Sequence, residues 1–233
     1  MNSDKVLFGI GGLVIGIVIG FMFANSVNRS SPGAGGSISL TNTSAISNSF
    51  LPPNHPPLMQ NGDASQGGAL PQVTEAIEKA KREPDNFEAQ MTAGDLYYQI
   101  QRFNEAVAFY EKARGLRPDD TEPVIKLGNT HFDAERYEEA ENLYSAVLKK
   151  TPNDVNVRTD LGLTFYLRRP RDIDRAIKEY NAVLAIEPSN ELALQNLSLA
   201  YKEMGDASNF QKILDRLTRV NPNNPVVVKE REN

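Results

Sequence analysis

Residues 119–152 read DDTEPVIKLGNTHFDAERYEEAENLYSAVLKKTP, and the same plan recurs on both sides of this stretch. The recurrence is clearest at five prolines, which are separated by 34, 34, 36 and 34 residues: Pro84, Pro118, Pro152, Pro188 and Pro222. Agreement at a fixed period of this length indicates a solenoid of repeated units and not a single globular core.

Other positions keep the same register as the prolines. A small residue recurs at Gly94, Gly128, Gly162 and Ser198, and a second small residue at Ala106, Ala140 and Ala176. Large rings recur at Tyr97, His131, Phe165 and Tyr201, and again at Tyr110, Tyr144 and Tyr180. This pattern predicts two helices in each unit that cross closely at the small residues, with the rings filling the space between units.

Polar residues that follow the prolines are predicted to cap the first helix of each unit: Asp85, Asp119, Asn153 and Ser189. The second helix is predicted to end before the next proline, which cannot continue it. Residues 71–82 have one apolar face and are expected to form a half-repeat beneath the first unit. We expect residues 226–228, a run of three valines, to cover the last helix.

The pattern Leu127-Gly128-x-x-His131, Ala140-x3-Tyr144 and Pro152 resembles the tetratricopeptide repeat. The resemblance covers four units within residues 70–233, at about 85–118, 119–152, 153–188 and 189–222. It implies an all-α, right-handed solenoid of helix-turn-helix repeats. The third unit departs from the pattern by a two-residue insertion around Pro170.

Residues 6–24 read VLFGIGGLVIGIVIGFMFA and contain no charged side chain. A helix of this length spans about 28 Å, close to the thickness of a bilayer core, so the segment is predicted to be a transmembrane signal anchor behind a short flank, 1–5. The alternative is a cleavable signal peptide, but cleavage after Ala24 would place Met22 where a small residue is required. The amino terminus and Lys5 lie on one side of the segment and only Arg29 lies close on the other, which favours a cytoplasmic N-terminus and an extracytoplasmic, periplasmic repeat domain.

Three glycines recur every fourth residue inside this segment, at Gly12, Gly16 and Gly20. The spacing places them on one helix face, where a second helix can approach closely and form a homo-oligomer. The alternative is that they reflect only the general abundance of glycine in membrane helices. Residues 25–69, rich in Ser, Gly, Asn and Pro, are predicted to be a disordered tether. His55 within it is interpreted as a solvated residue and not a metal ligand.

The composition excludes several classes of function. The chain has no cysteine, so it can form neither disulfides nor thiolate metal sites and has no thiol nucleophile. Its net charge of −5 argues against nucleic acid as the main partner. No convergent set of catalytic residues is recognisable, and His131 occupies a position filled elsewhere by aromatic rings. We therefore predict a protein that is not an enzyme and has no cofactor or metal.

The family resemblance implies a concave groove lined by the first helix of each unit. The residues expected to face it, on which a peptide would lie, are Glu88, Met91, Asp95, Tyr98, Glu122, Ile125, Asn129, Phe132, Asp133, Asn156, Leu163, Tyr166, Leu167, Gln195 and Leu199. Carboxylates gather in the first two units and apolar side chains in the third. For the apolar members, the alternative is packing against the adjacent repeat.

Some chaperone cofactors of this family clamp a partner's C-terminal carboxylate with Lys, Arg and Asn. The corresponding places here are Met91, Asp95, Asn156 and Asp160, so that activity is not expected. Four arginines lie at the inserted turn: Arg168, Arg169, Arg171 and Arg175. They are interpreted as a solvated turn, or as a surface for an acidic partner or anionic lipid.

The sequence favours a membrane-anchored scaffold or adaptor that binds a protein or peptide client in its groove. One alternative is a purely structural, oligomeric membrane scaffold without a soluble client. Another follows from the resemblance of the anchor, tether and repeats to bacterial envelope assembly factors, including those that bind apocytochrome c during cytochrome c biogenesis.

Overall fold

The structure is a computed structural model that describes residues 71–232 of the chain. The predicted membrane segment, its glycines Gly12, Gly16 and Gly20, and the tether at 25–69 lie outside the described residues. None of the helices in the described range has both the length and the apolar character needed to cross a bilayer.

The regular structure of residues 71–232 is entirely helical. Ten helices follow one another: α1 Pro71–Arg82, α2 Phe87–Gln99, α3 Phe103–Leu116, α4 Glu122–Asp133, α5 Tyr137–Lys150, α6 Val155–Leu167, α7 Ile173–Ile186, α8 Glu191–Met204, α9 Ala207–Val220 and α10 Pro225–Arg231. Each of these helices packs against the next one along the chain, and α6 also contacts α8. Helices α2 to α9 thus form four successive hairpins, and the predicted all-helical solenoid is confirmed in this range.

The small residues allow the two helices of a hairpin to approach closely. Tyr110, Tyr144 and Tyr180 are fully buried. A Cβ atom placed on Gly94, Gly128 or Gly162 would lie 2.5, 2.6 and 2.6 Å from the Cε1 atom of the respective tyrosine. These distances are shorter than van der Waals contact, so the tyrosine ring occupies the space that a side chain would need.

The helix caps lie one residue later than predicted. The side chains of Asn86, Asp154 and Asn190, and not those of Asp85, Asn153 and Ser189, accept backbone N–H groups at the starts of α2, α6 and α8. The residue after the proline belongs to the turn between hairpins, which the Asn86 N–H closes by donating to the Glu83 carbonyl at 3.1 Å. At the start of α4 the side chain of Asp120, and not of Asp119, accepts the Glu122 N–H at 2.9 Å.

The two ends of the stack are covered as the sequence predicts. Helix α1 buries Ala80 against the first hairpin, in a cluster with Ala89 and Phe109. At the other end, α10 packs against α9 and buries Val226 and Val227. The apolar faces of both terminal hairpins are thereby protected from solvent.

Candidate functional site

The predicted groove residues lie on α2, α4, α6 and α8, the first helices of the four hairpins, and we call the surface of these helices the first-helix face. Exposed or half-buried members are Glu88, Asp95, Glu122, Ile125, Asp133, Asn156, Tyr166 and Leu167. Buried members are Met91, Tyr98, Asn129, Phe132, Leu163, Gln195 and Leu199. The buried side chains pack within the stack, as the Phe132 ring does edge-on against Tyr137 at 5.7 Å between centroids.

Two of the predicted groove carboxylates already have cationic partners within the chain. Asp95 accepts hydrogen bonds from the Tyr110 hydroxyl at 2.6 Å and from the Lys126 ammonium at 2.8 Å. Glu88 lies 3.3 Å from the Arg117 guanidinium. The acidic end of the groove is therefore less free to attract a partner than the sequence suggests.

Asp133 is the last residue of α4, and its carboxylate accepts a hydrogen bond from the Tyr98 hydroxyl of α2. Burial raises the pKa of Asp133 to about 7, and the hydrogen bond from Tyr98 opposes this shift only in part. Burial and the neighbouring Asp133 also raise the pKa of Tyr98. This contact joins the first helices of two successive hairpins.

Asp160 is the residue of this region that the sequence analysis did not include in the groove. It lies on α6 with only 3% of its surface exposed, and its Oδ1 atom accepts no hydrogen bond. Burial raises its pKa well above the ordinary value, and the charges of Asp133 and Asp154 act in the same direction. A single aspartate inside the otherwise uncharged stretch 159–167 was the available signal.

Asp160 lies on the same stripe of α6 as predicted groove residues. Asn156, Asp160, Leu163 and Leu167 are spaced by four, three and four residues, which places them on one helix face. Asn156 and Leu167 are half-buried, whereas Asp160 and Leu163 lie deeper. The buried carboxyl group is thus at the base of the first-helix face in the third hairpin.

Tyr166 lies next to this stripe and is half-buried against the main apolar core. The Arg171 guanidinium lies 5.2 Å from its ring centroid and also pairs with Glu203 of α8. Burial raises the pKa of Tyr166, and the nearby arginines oppose that shift, so the phenol is neutral at physiological pH.

The arginines of the inserted turn are largely engaged within the chain. Arg168 and Arg175 both pair with Glu141 of α5, at 2.8 and 2.6 Å. The Arg175 guanidinium also lies 3.8 Å from the centroid of the Phe165 ring. These contacts give the turn a structural role and leave less charge available for an acidic partner or lipid surface.

His131 is half-buried, and its Nδ1 atom accepts a hydrogen bond from the Arg136 guanidinium at 3.0 Å. Burial lowers its pKa, which keeps the ring neutral. Across residues 71–232 no group of three or more His, Asp and Glu side chains is arranged to hold a metal ion.

The buried tyrosines that pack on the glycines differ in what their hydroxyl groups meet. The Tyr144 hydroxyl donates to the Asn129 side chain at 2.8 Å. In the next hairpin Leu163 stands at the equivalent position, and the buried Tyr180 hydroxyl has no hydrogen-bond partner. The interior of the third hairpin therefore contains a second unsatisfied polar group, on α7, and the charge of Asp160 acts on the pKa of Tyr180.

Because only one of these two hydroxyl groups has a hydrogen-bond partner, replacing each tyrosine by phenylalanine should change stability in opposite directions. Tyr180→Phe should raise the free energy of unfolding by about 1 kcal/mol, because it removes an unsatisfied buried hydroxyl. Tyr144→Phe should lower it by about 1 kcal/mol, since it leaves the Asn129 side chain without its donor. Urea denaturation of both variants measures the effects, and a loss of stability in both would contradict the assignment.

Comparison with known proteins agrees with the architecture. Models of the tetratricopeptide repeat match residues 101–159 and 167–229, and another model of the same repeat matches residues 60–121. The chain therefore belongs to the tetratricopeptide-repeat family. A sequence search among curated proteins finds no match.

Several solved structures share the fold at low sequence identity. The crystal structure of YrrB, described as a TPR protein with an unusual peptide-binding site, is 17% identical with a TM-score of 0.59, covering 69% of this chain and 82% of YrrB. A crystal structure of MamA is 22% identical with a TM-score of 0.58, covering 64% of this chain and 80% of MamA. MamA from Desulfovibrio magneticus RS-1 is 17% identical with a TM-score of 0.56, over 69% and 86% of the two chains. These likenesses concern the fold alone.

Proposed function

We propose that this protein is a non-catalytic scaffold that binds a protein or peptide partner on its first-helix face. The observation that carries the proposal is the combination on α6 of half-exposed Tyr166 and Leu167 with the buried, unsatisfied Asp160. Aromatic side chains held on a rigid scaffold are typical energetic centres of interfaces. The peptide-binding site described for YrrB supports the same use of this fold.

The partner that fits this surface combines basic and apolar residues. Tyr166 and Leu167 offer contacts for an aliphatic or aromatic side chain, and Asp133 and Asp160 favour positive charge. We further propose that residues 6–24 attach the chain to a membrane, with the repeats outside the cytoplasm. That part of the proposal rests on the apolar sequence and on the charges that flank it.

The binding face can be tested with Tyr166→Ala. A photo-crosslinking amino acid at Ile125, which is half-buried on α4, captures the partner in cells, and the captured protein is then titrated with the full-length chain. Tyr166→Ala should weaken binding about tenfold or more, because loss of a central aromatic contact commonly costs about 2 kcal/mol.

The matched control is Tyr97→Ala. Tyr97 is also half-buried on a first helix, but its ring stacks on Phe109 of α3 at 5.5 Å and it is not one of the predicted groove residues. Its replacement should lower stability without changing affinity. If the folded Tyr166→Ala variant binds the captured partner as tightly as the unaltered chain does, the partner does not bind on the first-helix face. Absence of any captured partner, together with self-association of the full-length chain, would instead favour the purely structural scaffold.

A further inference from the structure

Asp160 is a buried carboxyl group of the first-helix face, and its Oδ1 atom has no hydrogen-bond partner. Burial of an ionised carboxylate is costly unless a cation or hydrogen-bond donors compensate it. Its Oδ1 atom accepts no hydrogen bond, and the charges that act on it are those of two further carboxylates, Asp133 and Asp154. The ionised Asp160 carboxylate would therefore attract a cation, and the charges that act on it within the chain are all negative.

The equivalent positions of the neighbouring hairpins show what is missing. In the second hairpin this position is Lys126, which lies 34 residues earlier and pairs with Asp95 at 2.8 Å. In the fourth hairpin it is Asn196, whose side-chain oxygen and nitrogen are both buried without a hydrogen-bond partner. Helices α6 and α8 pack directly against each other. Asp160 and Asn196 thus provide a carboxylate and an amide oxygen with free acceptor capacity on adjoining helices.

We infer that Asp160 is the anchor for a basic side chain of the partner, a lysine or arginine, which enters the first-helix face between Asn156 and Leu167. This inference rests on the proposed function and adds to it the residue that recognises the positive charge of the partner. A long, thin basic side chain suits a carboxyl group that is only 3% exposed, because its methylene stem can pack on the apolar wall while the charge reaches the acid. The stem would lie along Leu163 and Leu167, which share the stripe with Asp160.

Binding of this kind is coupled to protons. The titratable groups that interact with Asp160 are Asp133 at the end of α4, Asp154 before α6, Tyr98 on α2, Tyr144 on α5 and Tyr180 on α7. The residue at the equivalent position of α8, Asn196, is uncharged. Because burial raises the pKa of Asp160, its carboxyl is protonated in the free protein over a wider pH range than an exposed acid. A basic partner requires the ionised form, so its affinity should rise as the pH is raised towards the pKa of Asp160 in the free protein.

The experiment selects binders from a random peptide display library, with the full-length chain in mild detergent as bait. The unaltered chain and two variants, Asp160→Asn and Asp174→Asn, are used in parallel. Asp174 is an exposed residue in the first turn of α7, so its replacement matches the charge change without touching the site. Asp160→Asn keeps the size of the side chain, and thermal melting checks that each variant folds.

We expect the unaltered chain and Asp174→Asn to enrich peptides with one basic residue beside an aliphatic or aromatic one. Asp160→Asn should lose the enrichment of basic residues. A selected peptide in which norleucine or citrulline replaces the basic residue should bind the unaltered chain about tenfold more weakly, and should bind Asp160→Asn no more weakly than its basic parent.

The outcomes separate this inference from the proposed function. Peptides that bind the unaltered chain equally well with and without the basic residue, or an unchanged profile for Asp160→Asn, would overturn the inference and leave the binding face in place. The peptide replacement alone decides the question if Asp160→Asn does not fold. A library that yields no binder to the unaltered chain would contradict the proposed function itself, and the inference with it.

Discussion

Replacement of Gly128 by alanine will lower the free energy of unfolding by about 3 kcal/mol, near the upper end of the usual cost of overpacking a core. The added Cβ would lie 2.6, 2.9 and 3.2 Å from the Cε1, Cδ1 and Cζ atoms of Tyr144. Because the Tyr144 ring is fully buried, it can move away only by displacing its neighbours or by separating α4 from α5. The loss is measured by urea denaturation.

Gly115 provides the matched control, since it is also helical, in α3, but has no atom within 4 Å of an added Cβ. Gly115→Ala should raise the free energy of unfolding by about 0.5–1 kcal/mol, because alanine restricts the unfolded chain and favours the helix. The change in backbone freedom is the same in both variants and is stabilising, so it cannot explain a loss of stability in Gly128→Ala. A Gly128→Ala protein as stable as the parent would show that the helices can separate at no cost.

The contrast between these two glycines shows why the fold could be predicted from the sequence. A glycine and a tyrosine recur together in three hairpins, sixteen residues apart in the first two and eighteen apart in the third, which contains the insertion, because each hairpin needs the same close contact. Their shared period with the prolines defines the two helices and the turn between units. The one-residue error in the helix caps arose because polar residues stand side by side after each proline, as Asp85 and Asn86 do. Hydrogen bonding in the turn, which the spacing does not reveal, decides between them.

The candidate site could be predicted only in outline. Periodicity placed Tyr166 and Leu167 on the first-helix face, but it could not show that Asp95 is already paired with Lys126, 31 residues away. Whether a carboxylate is free depends on long-range contacts between hairpins, and these differ from unit to unit. Burial of Asp160 has the same origin, because side chains from α5 and α7 surround it as well as those of its own helix.

The stability of the protein should fall by about 4 kcal/mol as the pH rises from about 4 to about 7, because of Asp133 alone. Its pKa is about 7 in the folded protein against an ordinary value of 3.8. Between these two values the folded state retains a proton that the unfolded state has released, so raising the pH favours unfolding. Each unit of difference in pKa corresponds to about 1.4 kcal/mol. Above about pH 7 this contribution no longer changes.

Asp160 should add to the decline in the same direction, since its pKa is also raised by burial. Asp160→Asn removes this titrating group, so its stability should fall less steeply with pH and should exceed that of the unaltered chain at pH 8. The difference should disappear near pH 4, where the native carboxyl is neutral like the amide. Urea denaturation of the full-length chain across this range tests the prediction, and Asp174→Asn should follow the parent.

A parent protein whose stability rises or stays level through this window would show that Asp133 and Asp160 are ionised at little cost in the fold. The expected decline has a consequence for binding. A carboxyl group that destabilises the free protein when it ionises is stabilised by a basic partner, so the partner should restore stability most strongly at high pH. Asp160→Asn should be the more stable free protein and the weaker binder, which is the combination expected when a buried acid serves recognition at the expense of stability.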